Sequence, residues 1–197
     1  LRVFAVTQAA LSFVLLVGAG VLLSALVALQ TTNTGYNLRQ VLALDVPVPI
    51  ESFGPKAIEF YEEASRRIEA LPGVERVAVG NVVPWRDAGL MGVGTQFTVE
   101  GYAPADGEGY PFARFRNVTP GFFATLGIPL TRGRDFDASD TPLAPAATVV
   151  SESFARRHWP EGGAVGRRLR SLWPEDDGSA APWLEIVGIV ADVRYRE

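Results

Sequence analysis

The sequence predicts an α+β chain in which one membrane-crossing N-terminal helix precedes a water-soluble domain. Three observations predict it. Residues 3–29 form a single uncharged, overwhelmingly apolar run. Between residues 41 and 83, a strand-like stretch, an amphipathic helical stretch and a second strand-like stretch follow one another. After residue 94, short segments alternate apolar and polar residues between Gly and Pro punctuation, the pattern of strands joined by turns.

The apolar run decides the solvent. At about 1.5 Å per residue it reaches roughly 40 Å as a helix, more than the ~30 Å hydrocarbon core of a bilayer. Its polar residues, Thr7, Gln8, Ser12 and Ser24, are tolerated in lipid because a helix satisfies its own backbone. A cleaved signal peptide would have a shorter apolar region of about 7–15 residues. Arg2 is the only charge before Arg39. Positive flanks stay cytoplasmic, which places the large domain outside. Gly20, Ser24 and Ala28 recur every fourth residue and line one helix face with small groups, a surface a neighbouring membrane helix can approach closely.

Past the anchor, Val41–Val48 reads as a strand. Gly54-Pro55 opens a helix, since Pro is tolerated in its first turn. Ala57, Tyr61, Ala64, Ile68 and Leu71 recur at helical spacing with Phe60 beside them. Glu62 with Arg66, and Glu63 with Arg67, sit four apart on the outer face. Pro72-Gly73 stops the helix, and Val74–Val83 is the next strand. Pro84–Gly94 is a loop carrying Trp85. Thr95–Glu100 and Phe112–Thr119 alternate as strands around a turn-rich connection. Pro120–Leu126 is a short helix closed by Gly127, and Ile128–Asp140 is extended and irregular. Ala147–Val150 is a strand, Ser151 the N-cap of a helix through His158, and Val165–Leu172 a further strand. Leu184–Val190 is nearly continuous in apolar residues, the mark of a strand covered on both faces.

Composition excludes several chemistries. Of 18 basic side chains only Arg2 precedes residue 30, which leaves 17 against 22 acidic ones, a net of −5 on the soluble part and a poor nucleic-acid surface. Without Cys there is no disulfide and no thiol nucleophile. Lys56, the only Lys, follows no phosphate-cradling glycine series, so the chain has no ATPase site of its own. His158, the only His, reads as the end of a helix, where the dipole favours a cation. Asp135, Asp137 and Asp140 cluster, but calcium loops need a longer ligand series with a distal Glu. A solvated turn in which Asp bonds its own backbone explains them. No catalytic, cofactor-binding or metal-binding residues are assigned.

Several ordered stretches resemble a known family. They are Val14–Leu23 in the anchor, Ala70–Glu75 (Ala-Leu-Pro-Gly-Val-Glu) after the first soluble helix, and Val118–Leu130 (Val-Thr-Pro-Gly-Phe-Phe-Ala-Thr-Leu-Gly-Ile-Pro-Leu). Arg132–Phe136, Val149–Arg157, Val165–Leu169 and Ile186–Arg194 (Ile-Val-Gly-Ile-Val-Ala-Asp-Val-Arg) complete the series. Their order is similar to that of the MacB-type periplasmic core domain of FtsX-like ABC transporter permeases, especially those without a fused ATPase. The resemblance implies a transmembrane helix over 1–32, a porter-like α/β lobe from 33–83 and 146–197, and a strand-rich lobe inserted at 84–145. It also implies a bacterial inner-membrane protein with its large domain on the periplasmic side, and three further membrane helices downstream. A chain that begins at Leu1 without Met reads as part of such a longer protein. The implied partners are a separate cytoplasmic ATPase subunit, a periplasmic adaptor protein, and a second copy or near-copy forming a homodimer or pseudo-dimer. Such a domain passes on movement, for efflux or mechanotransmission, and makes no bonds. The competing readings are a single-span extracytoplasmic sensor or binding module, and a membrane-anchored hydrolase pairing His158 with Asp135.

Overall fold

The computed structural model describes residues 2–31, 35–36, 40–46, 55–81, 94–102, 104, 107–141, 143–174 and 178–193. The chain divides into two compact units, Leu1–Thr34 and Gly35–Glu197.

The first unit is one helix, α1 (Arg2–Thr31). Among the described residues it is the one helix long and apolar enough to cross a membrane, over Val3–Ala28, with mean hydropathy 2.5 and none of it buried. Its apolar residues surround the whole circumference, as expected for a helix whose solvent is lipid. The hydroxyls return to the helix backbone: Thr7 Oγ1 donates to the Val3 carbonyl at 3.0 Å and Ser24 Oγ to that of Val21 at 2.8 Å.

The second unit contains α2 (Pro55–Glu69), β1 (Thr95–Val99), β2 (Phe112–Ala113), α3 (Phe122–Thr125), β3 (Leu130–Gly133), β4 (Ala147–Ser151), α4 (Glu152–His158), β5 (Arg168–Ser171) and β6 (Leu184–Val190). The six strands form one sheet in the order β2-β1-β5-β6-β3, with β4 also on β6. β4 runs parallel to β6 along most of its length, from Ala147 opposite Glu185 to Ser151 opposite Val190. β5 and β3 both pair antiparallel with β6, β5 at Leu184 and Glu185 and β3 at Gly188, Ile189 and Val190. A strand has two edges, so β5 and β3 share the one that β4 leaves.

The pleat of β4 and β6 sorts their apolar residues between two cores. On one side, Val150, Ile186 and Ile189 pack with Ala155, Ala164 and Leu169, and Phe154 and Trp159 close over them. On the other, Val149 and Val190 pack with Phe122, Leu126 and Ile128. α4 thus covers one face of the sheet and α3 the other. β6 is covered on both faces, as its composition predicts; Ile186 is fully buried.

The short helices begin and end where the sequence places them. Ser151 Oγ accepts from the Phe154 N–H at 3.3 Å and caps α4. Gly127 closes α3, with its N–H donating to the Ala124 carbonyl at 3.1 Å. Strand expectations need correction in four places. Val41–Val46 forms no ladder, and Leu42 and Leu44 lie exposed. Of the strand expected over Val74–Val83, the part described, through Asn81, contributes only the bridge from Gly80 to Val118. Phe112–Thr119 shortens to the two residues of β2 plus that bridge. Ile128–Asp140, read as extended and irregular, contains β3, whose four residues are all exposed and give no apolar alternation to read. On α2, Glu63 takes both arginines, Arg66 and Arg67, where the spacing paired Glu62 with Arg66. The loop at 84–94, with Trp85, lies almost wholly outside the described residues. Segment 84–145 supplies β1 and β3, which pair with β5 and β6 of the flanking segment, so one sheet spans both.

Candidate functional site

Three places hold the residues singled out by sequence. The first is the small-residue stripe of the anchor. A Cβ added at Gly20 would meet nothing within 4 Å, and Ser24 spends its hydroxyl on its own helix. All three residues lie exposed on the apolar helix.

The second is the acidic turn after β3. Arg134 sits inside it. Its guanidinium makes a two-pronged pair with Asp140, at 2.7 Å and 2.8 Å, and reaches Asp137 at 3.3 Å. Asp137 accepts from the Ser139 N–H at 2.8 Å, and its own N–H donates to Asp140 at 2.9 Å. Asp135 accepts from the Phe136 N–H at 2.7 Å. These are the backbone bonds of a turn locked by a fork-shaped cation. The Arg134 hydrogen bonds hold the Asp140 carboxyl down at about 2 despite some burial, and the Ser139 hydrogen bonds lower that of Asp137. Asp140 in turn raises the Arg134 guanidinium. Among the described residues no group of three or more His, Asp or Glu is placed to hold a metal ion. Beside the turn lies an open groove of about 410 Å³, lined by Arg134, Asp140 and Glu185 over an apolar floor that includes Val165 and Val187.

The third is His158. Its ring lies 4.7 Å from that of Phe154, 5.3 Å from Phe97 and 6.0 Å from Trp159. It ends α4, as the sequence places it, and partial burial, helped by nearby Arg157, lowers its pKa. Neither His158 nor Asp135 lines the groove, and no hydrogen bond joins them. The described residues do not assemble the pair a hydrolase would need.

Sequence reasoning missed two polar residues that organise structure. Arg134 was hidden because its partner lies six positions on, outside any helical or strand spacing. Asp192, just past β6, reaches across to α4 and accepts from the Ser153 N–H at 2.7 Å and from Arg156 at 2.9 Å. Of the tryptophans, Trp173 is exposed, whereas Trp183 is half-buried with the Arg170 guanidinium over its ring at 4.7 Å.

Among solved structures, the chain is similar to the periplasmic region of MacB from Actinobacillus actinomycetemcomitans, at 12% identity and a TM-score of 0.45, over 66% of this chain and 50% of that one. It is also similar to a domain of a protein assigned as a permease from Porphyromonas gingivalis, at 20% identity and a TM-score of 0.41, over 66% of this chain and 49% of that one. The chain spans about half the length of each. No curated protein matches it by sequence. The model of the MacB-like periplasmic core domain matches residues 3–196, anchor and folded unit together. The chain belongs to the MacB-like periplasmic core domain family, the periplasmic domains of ABC transporter permeases.

Proposed function

We propose that this chain is the membrane-anchored, extracytoplasmic core of a permease that passes the work of a separate cytoplasmic ATPase to export or to a periplasmic partner. The observation that carries this reading is the family match over residues 3–196, which takes in both the apolar helix and the α+β unit behind it. The polar clusters support it from the other side: Arg134 pairs with Asp140 and Asp137 in the acidic turn, and the single His packs beside aromatic rings. These are stabilising arrangements. Coupling of this kind needs two global states and a rigid body between them, not a nucleophile.

The same proposal takes in the finer parts of the sequence reading. The anchor sits in the bacterial inner membrane, with Arg2 on the cytoplasmic side. Gly20, Ser24 and Ala28 face another membrane helix, of a second copy or of the same permease. Residues 84–145 act as a lobe of the longer protein, and a periplasmic adaptor is the outer partner.

The test is to purify the full-length protein with its membrane helices, reconstitute it in nanodiscs and add the ATPase encoded beside it. A stable complex whose ATP hydrolysis rate changes on assembly is the expected result. A full-length protein with one span, no bound ATPase and no effect on hydrolysis would overturn the reading in favour of a single-span sensor.

A further inference from the structure

The folded unit begins at Gly35, four positions after the last residue of the anchor helix, Thr31. Gly35 has a φ of +81°, and a Cβ there would lie 2.8 Å from the Asp192 carbonyl oxygen and 3.2 Å from Val193 Cα. Only a glycine lets the two segments come this close. Beside it, Tyr36 and Val193 both pack on the core of Phe122, Leu126, Ile128 and Val190. The chain entering the unit and the chain leaving β6 therefore lie against each other. The Ala191 N–H, donating to the Pro129 carbonyl at 2.9 Å, fastens the outgoing chain to the segment that leads into β3.

Asp192 works on both sides of this contact. Its backbone meets the entering chain, and its carboxylate grips the first turn of α4 through the Ser153 N–H at 2.7 Å and the Arg156 guanidinium at 2.9 Å. Arg156 is also braced by Glu152 at 3.4 Å. An exposed ion pair alone contributes little. A carboxylate that also accepts from a backbone N–H at a helix start makes the stronger, charge-assisted kind of bond. Two segments far apart in sequence, one at Gly35 and one at 153–156, thus meet at Asp192.

We infer that Gly35 and Asp192 form a joint that delivers a displacement of the chain arriving from the anchor to α4 and β6 together. The joint stands on contacts within the folded unit; its use in transport rests on the permease reading above.

Hydrogen exchange on the full chain in nanodiscs tests it. Gly35→Ala is expected to speed exchange of the Ser153 and Phe154 amides, which the new methyl does not touch, by about tenfold. Asp192→Asn, which preserves size and can still accept from Ser153, is expected to speed exchange at 35–36 and 152–156 together. Unchanged α4 protection in Gly35→Ala, or loosening of only one of the two segments in Asp192→Asn, would overturn the joint. No ATPase enters this measurement, so a negative result would leave the permease reading standing. A positive result beside a failed ATPase assay would retain the joint without that use.

Discussion

Gly133 and Gly188 face each other across the β3–β6 ladder, and each leaves room for a backbone group where a side chain would be. A Cβ on Gly188 would run into the Arg134 carbonyl, and one on Gly133 into that of Val187. Backbone cannot swing aside as a side-chain tip can. Gly188→Ala is expected to destabilise the folded unit by roughly 3 kcal/mol, read as a fall in urea midpoint. The sequence places Gly188 inside an apolar strand and Gly133 inside an irregular stretch; only the pairing shows that they serve close approach. His158 offers a second measurement. Its pKa in the fold lies below the ordinary value of about 6.5, because its ring is partly buried beside Phe154 and Arg157 lies nearby. A depressed folded pKa means the unfolded chain takes the proton first. The stability His158 supports is therefore full above about pH 6.5 and is lost as pH falls through the folded value. Urea melts at pH 7.5 and 5.5 should diverge in the wild type and converge in His158→Phe, which keeps the ring packing and removes the proton.

Helices were more legible than strands, and the reason is locality. The signals that start and stop α2, α3 and α4 sit within a few residues of each other: Pro55, Gly127, and Ser151 ahead of Glu152. Ser151→Ala removes the acceptor for the Phe154 N–H and should cost about 1 kcal/mol, measured by thermal or urea unfolding. Strands depend on a neighbour that the sequence does not name. β6 was readable because its burial on both faces writes itself as Leu-Glu-Ile-Val-Gly-Ile-Val. β3 was not, because its residues are all exposed and show no apolar alternation, and its ladder partner β6 is distant in sequence. Val41–Val46 shows the converse: an apolar run without a paired edge. The polar arrangements follow the same rule. The Asp137–Ser139 turn was legible at short range, whereas the reach of Asp192 to Arg156, across 36 positions, was not.

At the scale of the whole molecule, the two units differ in where their apolar residues lie. Val3–Ala28 exposes apolar side chains all round, while Gly35–Glu197 folds about its own two cores. The full chain is expected to resist alkaline carbonate extraction from membranes, and Leu16→Arg, at the middle of the span, should weaken that retention at an expected insertion penalty of about 3 kcal/mol. Protease added to spheroplasts should digest the large unit; protection there would reverse the proposed sidedness. This division was the part of the molecule most legible from sequence, since hydropathy over a long window needs no knowledge of contacts. The sheet that bridges segment 84–145 and its flanks was hidden, because β1 meets β5 only after some 70 intervening residues.

The central strand has a mechanical consequence. Ladder bonds lie across a strand, not along it, and β6 is bonded on one edge to β4 and on the other to β5 and then β3. A tug along its axis would strain these rungs side by side, in shear, instead of unzipping them one after another. Such a strand yields late and as a block.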